Sequence, residues 1–175
     1  ERQGELNEKN EAELIEETTR RIFKEEGKAP RGWLGPWISE STNTPDLLQE
    51  NGYQYFLDWS HDDQPTWMKT RNGGILSVPY PQELNDIPAI IVRNVSPEDF
   101  SRMIIDNFDE MLEQSEHQPL VMGIALHAYI VGQPFRLKHL RKALQYIVNN
   151  KDKIWLTTTG EIATHSLMNI KQDCN

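Results

Sequence analysis

Cysteine is almost absent from this 175-residue chain: Cys174, next to the last residue, is the only one. A single thiol cannot close an intrachain disulfide, so no disulfide framework holds the fold, and a reducing compartment is expected. No apolar run approaches the roughly 20 residues of a membrane span, so no membrane partner is expected. Basic charge is scarce as well. Lys and Arg number 18 against 27 Asp and Glu, a formal net charge of -9, and no basic cluster stands out. A phosphate backbone needs a positive face, so nucleic acid is not an expected partner. Neither a signal peptide nor a low-complexity linker nor an internal repeat is visible, and the location expected from these absences is cytoplasmic. What remains is an ordinary composition, 37% hydrophobic and 26% charged, long enough for a single domain over residues 1–175 with a real core.

The most informative stretch is 120–127, an apolar run that ends abruptly in His127. It is too short and too uniformly apolar for an amphipathic helix, and it reads as a central parallel strand buried on both faces. A histidine at the C-terminal end of such a strand sits where α/β folds present catalytic groups; the alternative is a core histidine with a satisfied ring. Residues 129–135 then read as a Gly/Pro loop before a new helix.

Helix character runs over 7–26, with Leu14, Ile15, Thr18, Ile22 and Phe23 at helical spacing and Gly27 placed to end it. A brief strand is expected near 31–34. Trp33 reads as core, and Trp37, after the turn, as the better candidate for lining a pocket. Thr44, Pro45 and Gly52 fit the cap, first turn and exit of a short helix. Residues 53–59 read as an aromatic strand closed by Asp58 and Trp59. The cluster that follows, His61, Asp62 and Asp63, could suggest a metal by spacing alone, but such groups also occur in solvated loops. Asp58 is the more informative acid, because a carboxylate at a strand end can orient an imidazole and keep it protonated.

Residues 73–80 read as another short strand and 81–95 as a long irregular connection. A loop of that length in a compact domain is often functional, and Glu83, Asn85 and Asp86 are its polar members; turn chemistry is the bland account of all three. Ser96, Pro97 and Asp99 announce a strong helix with an apolar stripe from Phe100 to Leu112. A second helix is expected over 135–148, a last strand over 154–157 and a final helix capped by Thr159. His117, His139 and His165 read as surface or packing residues. Strands alternating with helices imply an α/β fold with a mostly parallel sheet of about four principal strands. A sheet this small, with open edges, suits part of a barrel and would tend to associate into a homo-oligomer.

Three stretches, 31–36, 57–59 and 124–127, stand in the order and spacing of the later motifs of polysaccharide deacetylase-like hydrolases, and the chain resembles that family over nearly its whole length. The loops at 62–65, 79–88 and 132–136 resemble a branch that includes enzymes acting on allantoin and other cyclic amides beside chitin deacetylases. The resemblance implies the C-terminal part of a distorted (β/α) barrel. It also implies a hydrolase of carbon–nitrogen bonds other than peptide bonds, acting on a carbohydrate or small-molecule amide. On this resemblance His127 protonates the leaving nitrogen, Asp58 holds that histidine charged and Arg31 braces the base. Trp59 and Leu126 form pocket walls, and Trp37, Asp62, Asp63, Tyr80, Glu83 and Asn85 are the further substrate-side candidates. The family's earlier motifs, an Asp-Asp pair and a His-x-x-x-His that supply the base and the metal ligands, do not occur here. A zinc-like divalent metal is therefore expected only in a longer protein, with no ligand from this chain. Two positions depart from the family pattern: Tyr55 where a second aspartate is usual and Trp33 where proline is usual. Both weigh against a polysaccharide substrate. The other readings are a catalytically inactive binding or scaffold fragment, a metal-independent cyclic-amide hydrolase, and a small doubly wound domain with a ligand at its strand ends. The isolated chain is expected to show no turnover.

Overall fold

The computed structural model describes residues 2–170; Cys174, and with it the expectation about disulfides, lies outside the described residues. The chain folds into two compact units. The first takes the residues up to His61, Pro65–Pro79 and those from Thr158 onward; the second takes Asp62–Gln64 and Tyr80–Thr157.

In the first unit, helix α1 (Glu8–Glu26) begins where the Asn7 side chain accepts the Asn10 N–H at 3.0 Å. It ends at Gly27, whose φ of 71° is the left-handed conformation that glycine adopts without a Cβ penalty. The strands are β1 (Gly32–Trp33), β2 (Tyr55–Phe56), β3 (Thr66–Thr70) and β4 (Gly73–Ser77), with α2 (Thr44–Glu50) between the first two. Sheet order is β1-β2-β4-β3; the first two pairings are parallel and the β3–β4 hairpin is antiparallel. Trp33 is core, as expected, packed with Ile15, Leu47, Leu48, Tyr53, Phe56 and Ile75. Helix α6 (Thr159–Asn169) places Ala163 against Leu76 and Val78. Tyr55 lies so close over β1 that a Cβ at Gly32 would stand 2.1 Å from its ring.

The second unit is mainly helical. Its long helices are α3 (Pro97–Gln114) and α5 (Pro134–Asn149), joined in sequence by the 120–127 run and the short α4 (Ala128–Val131). Ser96 caps α3 by accepting the Asp99 N–H at 3.1 Å, as its sequence position predicts. Phe100, Ile104 and Phe108 of α3 share a core with Leu140, Ala143 and Ile147 of α5 and with Leu84, Ala89 and Ile130. Burial of each large side chain there contributes about 1.5–3 kcal/mol.

Several expectations need correction. The 120–127 run is not a strand buried on both faces. Residues 120–124 are half-buried, and only Ala125 forms a bridge, parallel to Asn85. The run's backbone bonds go to separate loops, Val121 N–H to Asp63 O at 2.8 Å and Ala125 N–H to Leu84 O at 2.9 Å, so no ladder forms. Residues 154–157 likewise form no strand, and Trp155 and Leu156 are exposed. The 81–95 connection holds a π-helical turn, Ile87–Val92, that buries Ala89 and Ile90. The hairpin strand 66–70 was not expected at all. The cap of α6 is Thr158 instead of Thr159. Glu161 at its third position completes the reciprocal pair, its N–H donating to Thr158 Oγ1 while its carboxylate accepts the Thr158 N–H. Thr44 opens α2 but does not cap it; its hydroxyl donates to Glu11.

Candidate active site

In the second unit, the single bridge between Asn85 and Ala125 brings the 81–88 loop beside the end of the apolar run. Asp86 N–H donates to Ala125 O at 3.1 Å, which aims the Asp86 side chain at the residue two places further on, His127. The contact is twofold. Asp86 Oδ2 accepts the His127 backbone N–H at 2.7 Å, and Asp86 Oδ1 lies 2.6 Å from the ring Nδ1. Asp86 is fully buried while the His127 side chain is 32% exposed, so the acid sits inside and the ring faces outward. Among the described residues no group hydrogen-bonds His127 Nε2, which is thus the nitrogen left to meet a ligand. His127 also caps α4, its carbonyl accepting the Ile130 and Val131 N–H groups. The exposed Tyr129 ring stands edge-on to the imidazole at 5.7 Å, and Leu126 is also exposed.

An imidazole with one nitrogen on a buried carboxylate and the other free can carry a proton to or from a bound molecule. The carboxylate that hydrogen-bonds the ring is Asp86, of the same unit. The sequence offers two readings of Asp86, a polar member of a functional loop and turn chemistry, and only the bridge to Ala125 reveals its partner. Asn85, expected on the substrate side, is buried and turns its own loop, its Oδ1 accepting the Ile87 N–H at 3.1 Å. Glu83, Asp62 and Asp63 are exposed, and burial together with the charges of Glu83 and Asp62 raises the Asp63 carboxyl above its ordinary value. Tyr80 is half-buried.

The other sequence candidates belong to the first unit. Asp58 Oδ1 accepts the Gly35 N–H at 2.7 Å, and its buried Oδ2 has no hydrogen-bond partner among the described residues. Burial pushes this carboxyl up to about 6, against the opposing Gly35 hydrogen bond. Glu40, which sequence reasoning passed over, accepts the Trp59 indole N–H at 2.6 Å. It is pushed up to about 7, chiefly by burial and further by the Asp58 charge. Trp59 also stacks on His61 at 6.2 Å. Arg31 donates to Gln54 at 2.7 Å and Thr164 at 3.0 Å. Trp37 is 80% exposed, on a backbone turned to a φ of 61°.

No family model matches the chain. Among curated proteins it is 30% identical over 150 residues to a Schizosaccharomyces pombe protein assigned by name to the polysaccharide deacetylases, covering 77% of this chain and 47% of that protein. It is 25% identical over 177 residues to a peptidoglycan deacetylase of Helicobacter pylori, covering 83% and 57%. Among solved structures, the Puue allantoinase matches 97% of this chain and 57% of its own at a TM-score of 0.87 and 26% identity. A probable polysaccharide deacetylase from Pseudomonas aeruginosa matches 95% and 56% at a TM-score of 0.85 and 29% identity. The chain belongs to the polysaccharide deacetylase-like family. Its α/β fold, with mostly parallel pairing, is that of a portion of the (β/α) barrel these neighbours share. This polysaccharide deacetylase-like chain spans about half the length of the relatives it matches.

Among the described residues of the deacetylase-like chain, no group of three or more His, Cys, Asp or Glu is arranged to hold a metal ion. No helix among the described residues is long and apolar enough to cross a membrane.

Proposed function

We propose that this chain supplies the proton-donating half of a hydrolase acting on carbon–nitrogen bonds other than peptide bonds, and that His127 is the donor. The observation that carries the reading is the solvent-facing imidazole whose Nδ1 is held by a buried carboxylate while Nε2 has no partner. Amide hydrolysis adds water to the carbonyl carbon and breaks the C–N bond, and the departing nitrogen must receive a proton to leave as an amine. His127 Nε2 provides that proton; the base that takes one from water is not assigned to this chain. A divalent metal serving the reaction takes its ligands from outside the described residues, and no step here is routed through it. Arg31, Asp58, Trp59 and Leu126 keep the roles that the resemblance gives them, and Trp37, Asp62, Asp63, Tyr80, Glu83 and Asn85 stay as substrate-side candidates.

The substrate class we favour is an N-acylated carbohydrate, supported by the deacetylase names of the curated relatives. A cyclic amide of the allantoin type is the second reading. The allantoinase neighbour at a TM-score of 0.87, and Tyr55 and Trp33 at the two departing positions, favour it. The isolated chain is proposed to be inactive, and the location to be cytoplasmic. The test is turnover of the full-length protein and its His127→Ala variant on N-acetylated sugar oligomers and on cyclic ureides. Loss of a general acid lowers kcat by about 10²–10⁴-fold. Full turnover by the variant would remove His127 from the chemistry.

A further inference from the structure

We infer that Asp86 is the positioning residue of His127, fixing the imidazole as the tautomer protonated on Nδ1 so that Nε2 is always the nitrogen that meets the substrate. The inference rests on the reading of His127 as proton donor and adds what makes that ring competent. Asp86 bonds one residue at two points, the backbone N–H at 2.7 Å and the ring Nδ1 at 2.6 Å. A ring tied to the same carboxylate as its own backbone cannot flip by 180° without breaking the shorter of the two bonds. The acid is in turn rigid. It is fully buried, its N–H donates to Ala125 O, and it leads directly into the π-helical turn that packs Ala89 and Ile90 into the core. A carboxylate only accepts, so it selects Nδ1–H and leaves the Nε2 lone pair or its proton outward. Partners of this kind orient a functional histidine and hold its tautomer.

A merely structural Asp86 would need only the backbone contact, and the test separates the two. The ¹⁵N–¹H spectrum of the histidine rings is recorded on the chain at a pH where the rings are neutral, with the exposed His117 as internal reference. His127 is expected to show the Nδ1–H pattern and a low-field, exchange-protected Nδ1 proton, and His117 neither. Asp86→Asn, which preserves shape and a backbone acceptor, is expected to abolish both features, and Asp86→Glu to restore them in part. A wild-type His127 spectrum matching that of His117 would overturn the inference without any variant, so a poorly folded Asp86→Asn protein does not shield it. In the full-length protein Asp86→Asn is expected to lower kcat by about 10–100-fold with KM changed less than about twofold. Loss of the tautomer pattern with kcat unchanged would also overturn it. The ring spectrum does not depend on turnover. Full turnover by His127→Ala would therefore defeat the hydrolase reading while leaving the Asp86–His127 geometry measured.

Discussion

Asp58 offers a clean test of how burial sets the pH dependence of this fold. Its carboxyl lies near 6 against an ordinary 3.8, and desolvation is the cause, opposed by the Gly35 N–H. An acid raised on folding binds its proton more tightly in the folded state than in the unfolded one. The stabilisation is complete below about pH 4 and is lost as pH rises through about 6. Roughly two units at 1.36 kcal/mol each amount to about 3 kcal/mol, and at 8% exposure solvent screening removes little of it. Asp58→Asn removes the titration, keeps an acceptor for Gly35 and places an amide donor where Oδ2 has no partner. Urea unfolding of parent and variant at pH 4 and pH 8 is expected to show their free-energy difference moving toward the variant by about 3 kcal/mol. Glu40, raised to about 7, acts with the same sign, and the substitution relieves the part of its shift that comes from Asp58. A difference that does not change with pH would refute the burial argument. A difference moving the other way would mean that the folded state prefers the carboxylate.

Other consequences are simpler. Glu11 is fully buried and accepts from Gln3 Nε2, Ser41 Oγ and Thr44 Oγ1, so Glu11→Ala strands three donors and should cost about 3–4 kcal/mol in denaturant unfolding. A loss under 1 kcal/mol would show the network to be replaceable by water. Ile104→Ala empties the contact between α3 and α5 and should cost about 2–5 kcal/mol, read as faster amide exchange in both helices. Unchanged exchange there would contradict the shared core.

The parts of the fold legible in the sequence are those with local causes. Ser96, Pro97 and Asp99 fix the start of α3, Gly27 the end of α1, and the apolar stripe of α3 its buried face. The failures come from interactions that a short window does not contain. Leu120–Ala125 has the composition of a buried strand, but a strand also needs a neighbour to pair with along its length, and this run has only one bridge. The β3–β4 hairpin carried a readable signal in Asn72, in the two-residue turn, and Gly73, the first residue of β4, which the irregular pattern of Thr66–Thr70 obscured. Among three consecutive threonines, Glu161 identifies Thr158 as the cap, because the reciprocal bond requires a spacing of three. The candidate site divides in the same way. His127 was marked by the abrupt end of an apolar run. Its acid was not, since Asp86 looks like any turn aspartate until the chain folds the 81–88 loop against Ala125.

The claim that His127 delivers a proton to a departing nitrogen is tested most directly by varying how much the leaving group needs one. Full-length parent and His127→Ala proteins are compared on an N-acetyl amine, whose nitrogen cannot leave unprotonated, and on an activated acetyl ester, whose phenolate leaves without help. The account predicts a fall in kcat of about 10²-fold or more on the amide and a fall of only a few-fold on the ester. An equal loss on both substrates would contradict it.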